Sequence, residues 1–185
     1  MMTALALMIA QGSLGAFDTI YYHEYKARLV AGGSKTRPEL WLHAVRDFVY
    51  AILFGTLPFV AWCGGFTYVL ACLILFEIVV TMTDFAVEPR TRAPGDVLPG
   101  ERITHGLMAI VYGGVLSCLA PAMLAWWSQP TGFAVHDEPI SLAMKTALSA
   151  MAIGVFLSGL RDAYAALGWP GGAFPWQGSD ADRRG

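Results

Sequence analysis

Residues Phe66–Arg92 read FTYVLACLILFEIVVTMTDFAVEPRTR. The run is apolar and long enough to cross a bilayer, yet it carries carboxylates. Glu77 stands about 11 residues in, which at ~1.5 Å per residue puts it roughly 16 Å deep. Glu77, Thr81, Asp84 and Glu88 recur at i, i+4, i+7 and i+11, one face of a helix. An ionisable group at that depth costs at least ~2.5–3.5 kcal/mol unless it is partnered. The remainder of the chain is therefore expected to present partners for this stripe.

Composition agrees with a membrane protein. Of 185 residues, 56% are hydrophobic and only 14% charged, and the mean hydropathy is +0.52. A soluble domain carries about a quarter charged residues. The net charge of −2 and the lack of a basic cluster give no sign of a nucleic-acid partner. Cys63, Cys72 and Cys118 form no paired motif and lie in apolar runs, so they read as small buried hydrophobes. The N-terminus lacks the basic segment of a signal peptide, and its apolar run reads as the first span.

Five spans follow: about Thr3–Tyr25, Pro38–Trp62 with a kink at Pro58, Phe66–Pro89, Glu101–Trp127 and Ile140–Leu167. The expected fold is an all-α integral membrane bundle of five transmembrane helices over residues 1–168. A Gly/Pro-rich cytoplasmic tail, 169–185, ends it, with Trp169 and Trp176 at the interface. Gly32-Gly33 breaks the chain after the first span, and the Pro- and Gly-rich third loop reads as coil. Three seams of small residues permit close helix contacts: Gly12/Ala16, Ala109/Gly113/Ser117 and Ala150/Gly154/Ser158. Eleven of the twelve Lys and Arg fall on the side of loops one and three and the tail, and only Lys145 on the other. That bias predicts the N-terminus outside and the C-terminus in the cytoplasm of a bacterial-type inner membrane.

Alternating helix directions then bring one polar slice together. Asp18 ends span 1, His43 and Asp47 open span 2, Glu77 and Asp84 occupy span 3, and Glu101 and His105 open span 4. The opposite half of each span is apolar. Carboxylate with imidazole is the ligand set of non-haem iron, manganese or zinc. These seven residues are the candidate metal ligands. Helix for helix, the layout resembles the four-helix di-metal carboxylate proteins, the ferritin-like and alternative-oxidase-like group. There, two helices give a Glu and two give Glu-x-x-His. Here the spacing is i, i+4, and span 2 has His before Asp. The resemblance implies a di-iron oxidoreductase that hydroxylates or desaturates a lipid-like substrate entering between helices. With no nicotinamide or flavin fingerprint, electrons would come from an external donor protein.

Other readings stand beside this one. His43 and His105 suit axial ligands of a b-type haem. Arg46, Arg102, Arg161 and Lys26 can pair with Asp18, Asp47, Asp84 and Glu101 in a purely structural network. A non-enzymatic subunit of a larger membrane complex, a homo-oligomer or a small proton-relaying transporter would use such a cluster. His23 lies about 140° off the Asp18 face at ~100° per residue and reads equally as interfacial. Tyr21, Tyr22 and Tyr25 read as an aromatic belt. Glu88 and Arg90 read as solvated loop groups, Arg161 and Asp162 as a local pair, and His136, Asp137 and Glu138 as a helix N-terminus.

Overall fold

The computed structural model describes residues 1–92 and 97–174. The centre of the third loop and most of the 169–185 tail, Trp176 included, lie outside the described residues. Helix α1 (Met2–Phe17) runs without a break into a π-helical segment (Asp18–Ala27). Arg28, in the left-handed region at φ 53°, ends that segment, and a 3-10 stretch (Leu29–Lys35) follows. Gly33, at φ 67°, makes the break expected at the glycine pair. Helix α2 (Arg37–Thr56) has Pro38 in its first turn, where a missing N–H costs nothing. Strand β1 (Val60–Cys63), helices α3 (Gly65–Thr91) and α4 (Pro99–Trp127), strand β2 (Gly132–Val135) and helix α5 (Leu142–Ala166) complete the chain.

Four helices are long and apolar enough to cross a membrane: Met2–Ala27, Gly65–Thr91, Pro99–Trp127 and Leu142–Ala166. Only 11% of the most apolar window of α4, and the same of α5, is buried within the chain. Ile110 and Leu124 on α4 and Ile153 and Leu157 on α5 all face outward. Apolar faces of this extent need a lipid or protein environment. Helix α2 is different. It carries Arg37, Glu39, Arg46 and Asp47, too many charges to count among the four. It is also turned inward: between Leu40 and Leu57 only Trp41 and Ile52 are exposed.

The helices touch in the closed order α1–α4–α3–α2–α5–α1. Their interior has two levels. Toward one end, Leu5, Leu53, Phe54, Leu70, Leu119 and Leu148 form an apolar core. That end is closed by the β1–β2 pair, antiparallel, with Val60 opposite Val135 and Cys63 opposite Gly132. Gly64 makes the turn out of β1 possible. Its φ of 57° is strained for any side chain, and an added Cβ would lie 2.6 Å from the Thr131 nitrogen. At the other end, the polar end, the C-termini of α1, α3 and α5 meet the N-termini of α2 and α4.

Several expectations change. Span 2 does not kink at Pro58. The helix stops at Thr56, and Pro58, which cannot donate to a helical ladder, sits in the turn before β1. Residues 132–135 are a strand, and α5 starts only after Ser141, whose side chain accepts from Met144 N at 3.3 Å. His136 caps no helix. Its ring packs on Trp126 and its Nε2 lies 2.8 Å from the Leu57 carbonyl. The α4 seam of Ala109, Gly113 and Ser117 faces outward and makes no close helix contact within the described residues.

Candidate metal centre

The π-helical segment is the local feature that builds the site. Its turn is wider than that of an α-helix, so residues five apart come into line. His23 consequently joins the face of Asp18, with Nε2 3.3 Å from Asp18 Oδ2. The α-helical angle assumed from sequence had placed it on another face. From α4, His105 Nε2 reaches the same Asp18 Oδ2 at 3.2 Å. Glu101, one turn earlier, lies 3.5 Å from His23 Nε2. Asp18, His23 and His105 thus form one group of potential ligands whose donor atoms all lie within 4.8 Å of one another.

A second group, equally compact, lies beside it: Glu39 and His43 from α2 and Asp84 from α3. His43 Nε2 is 3.2 Å from Asp84 Oδ2 and 4.0 Å from Glu39 Oε1, while its Nδ1 is 3.9 Å from Asp162 of α5. The groups adjoin through their imidazoles. His23 stacks on His43 with ring centroids 4.5 Å apart and planes 10° from parallel. His23 also meets His105 edge-on at 6.4 Å. A haem held by His43 and His105 would need an open slot between them, and His23 packs against both.

Two guanidiniums serve the cluster, Arg92 buried and Arg46 partly so. Arg92 donates from Nε to Glu39 at 3.0 Å and from Nη1 to Glu101 at 2.7 Å; its Nη2 contacts Glu39 as well and lies 3.0 Å from Glu88. Burial alone would lower the Arg92 pKa, but the Glu39 hydrogen bond and the charges of Glu39, Glu88 and Glu101 outweigh it and hold it above the ordinary value. Arg46 donates to Asp84 at 3.1 Å. Glu24 on the π segment is paired with Arg161 of α5, whose Nη2 donates to it at 2.8 Å. Asp18, Glu39, Asp84, Glu88, Glu101 and Asp162 are all buried. Six carboxylates against Arg46 and Arg92 leave negative charge to be met by protons or by metal cations.

Four of the seven buried side-chain atoms that lack a hydrogen bond among the described residues belong to these two groups. Asp18 Oδ1 and Asp84 Oδ1 are buried and have no hydrogen-bond partner, while His23 Nε2 and His43 Nε2 are buried beside carboxylate oxygens at 3.3 Å and 3.2 Å without making an aligned hydrogen bond. Each ligand group thus contains one such imidazole nitrogen and one such carboxylate oxygen. Buried polar atoms without partners are rare, and an ion is one of the few explanations for a matched set.

Of the seven residues expected from sequence, Asp18, His43, Asp84, Glu101 and His105 come together here. Glu77 does not join them. It is buried in a separate layer, where it accepts from Thr81 at 2.8 Å and sits near the hydroxyls of Tyr50 and Tyr112. Asp47 lies one turn deeper than His43 and lines a cavity between α1, α2 and α5. Glu88, expected in solvent, is buried because α3 continues through Pro89 to Thr91 and carries it inside. Arg161 and Asp162 do not pair locally: Arg161 takes Glu24, and Asp162 faces His43. Sequence reasoning missed Glu39 and Arg92. Glu39 had a visible signal, since Glu39/His43 and Glu101/His105 repeat one Glu-x-x-x-His spacing just after Pro38 and Pro99. No protein-family description, curated protein or solved structure matches the chain.

Proposed function

We propose that this chain is an integral membrane oxidoreductase that binds two metal ions at its polar end and oxidises a lipid-like substrate. One observation carries the metal reading: two adjoining three-ligand groups, each with a buried imidazole nitrogen set against carboxylate without an aligned hydrogen bond and a buried carboxylate oxygen with no hydrogen-bond partner. The donors are imidazole and carboxylate, which suits iron above all, with manganese or zinc as alternatives. Asp18, His23 and His105 would hold one ion and Glu39, His43 and Asp84 the other. Glu101, Glu88 and Asp162 would orient the histidines and complete the charge balance.

Bound iron would supply dioxygen chemistry. In a hydroxylation one oxygen atom enters a substrate C–H bond and the other leaves as water. Two electrons from an external electron-carrier protein and two protons close the balance. Burial of the ligands excludes bulk water, and the cavity reaching Asp18 gives an apolar molecule a path from the bilayer. Metal analysis of protein purified without chelators is the test. About two transition-metal ions per chain are expected, one for each ligand group. Fewer than one per chain in a fully helical preparation would overturn the reading. It would favour the non-enzymatic alternative, in which Arg46 and Arg92 hold the carboxylates as structural ion pairs.

Five spans form the topology, with α2 as the fifth, the N-terminus outside and the polar end and C-terminus in the cytoplasm. Support comes from the inward-turned charges of α2 and from the distribution of Lys and Arg. In a chain freed of its native cysteines, Lys35→Cys should react with an impermeant maleimide only after cells are opened. Asp137→Cys should react in intact cells. The reverse pattern would overturn the orientation, and equal reactivity from one side would overturn the span count.

A further inference from the structure

A cavity of about 500 Å³ lies between α1, α2 and α5. Small residues of α1 and α5, Gly12, Gly15, Ala150 and Gly154, line it together with larger side chains such as Phe54, Met108 and Met151. The Ala150/Gly154/Ser158 seam, expected to receive a neighbouring helix, lines this space instead. A Cβ added at Gly154 would meet nothing within 4 Å. Ala16, Ala150 and Gly154 are exposed, so the cavity opens sideways between α1 and α5 toward the bilayer. It extends along α1 and the start of the π-helical segment from Gln11 to Ile20, and along α5 from Ala147 to Ser158. At ~1.5 Å per residue that is roughly 15 Å, about half the ~30 Å hydrocarbon core and so one leaflet. The volume falls within the ~300–1,000 Å³ of small-molecule sites.

One end is polar. Asp18, Arg46, Asp47 and Ser158 line it. Arg46 already donates to Asp84 at 3.1 Å, and Asp18 and Asp47 bring two carboxylates. An anionic phosphate placed there would meet two like charges and a guanidinium already engaged. A hydroxyl can both donate and accept among these groups. Asp18 belongs to this lining and to the first ligand group alike.

We propose that the cavity holds a single-chain membrane lipid with an uncharged hydroxyl end, its hydrocarbon between α1 and α5 and its hydroxyl beside Asp18 and Ser158. This rests on the oxidoreductase reading for its consequence, since the carbons nearest the hydroxyl are then those offered to the metal ligands. Occupancy itself does not depend on metal.

The test measures retention of tritiated cetyl alcohol by the full chain in detergent, with metal content determined on the same samples. Wild-type protein should retain about one alcohol per chain, as befits one ligand-sized cavity. Gly154→Phe, which places a ring in open space, should lower retention by at least about tenfold, or ~1.4 kcal/mol. Ala150→Phe should do the same from the next turn, and both variants should keep wild-type helicity and metal content. Retention undiminished in both variants would overturn the proposal, as would displacement of the alcohol by an equimolar amount of dioleoylphosphatidylcholine. If retention falls in the variants while no sample contains metal, the lipid site stands and the oxidoreductase reading fails.

Discussion

Arg92→Met is expected to destabilise the protein by about 3–5 kcal/mol, the range found when one partner of a buried ion pair is removed. The guanidinium is 3% exposed and joins Glu39 of α2, Glu88 of α3 and Glu101 of α4. Methionine fills part of the volume but leaves three carboxylates facing one another without a counter-charge. The thermal unfolding midpoint in detergent, followed by circular dichroism, measures the effect. Adding Glu39→Gln and Glu101→Gln to Arg92→Met should restore part of the loss, because the repelling charges are then gone. Arg102, ten residues away and exposed, is the control, and its replacement by methionine should stay within about 0.5 kcal/mol of wild type. A wild-type midpoint for Arg92→Met would show that Arg92 does not hold these three helices together.

His23→Leu and His43→Leu are expected to have the largest effects on metal. Each removes an imidazole from a different ligand group. Loss of a residue that only supports a ligand weakens metal binding about 10–100-fold, so loss of the ligand itself should exceed ~100-fold. Each variant should therefore fall by one ion per chain or more, measured on protein dialysed against a weak chelator. Asp47→Asn should retain the wild-type content, since Asp47 belongs to neither group and lines the cavity instead. A metal-free Asp47→Asn beside a fully loaded His23→Leu would refute the ligand assignment. Helicity of each variant separates loss of ligand from loss of fold.

Four helices long and apolar enough to cross a membrane were legible because length and apolarity alone identify them, and Phe66–Thr91 is helical over nearly the whole quoted stretch. The gathering of charge at one end was legible too, because helix direction alternates whatever the packing. Rotation about each helix axis was not. An α-helical angle of 100° per residue put His23 on the wrong face, and nothing in DTIYYHEYKA announces the wider turn of Asp18–Ala27. Asp47 shares the His43 face by angle but lies a turn further into the bundle, so the angle alone misplaced it. Helix ends caused the remaining errors. Pro89 suggested that α3 had finished, which left Glu88 in its last turn reading as solvated and Arg92 in a loop, whereas the helix runs on to Thr91 and both side chains are buried.

The strand pair has a consequence for the opposite end of the bundle. Main-chain hydrogen bonds between β1 and β2 tie the α2–α3 connection to the α4–α5 connection. At the ligand groups, by contrast, the helices are joined by side chains such as Arg92, Arg46 and Arg161. The molecule is thus built like a tied sheaf, fastened at one end by backbone and at the other by charge. Were an ion to bind there, its entry or release would ask only that a few side chains part; the knot of leucines and the strand pair would stay as they are.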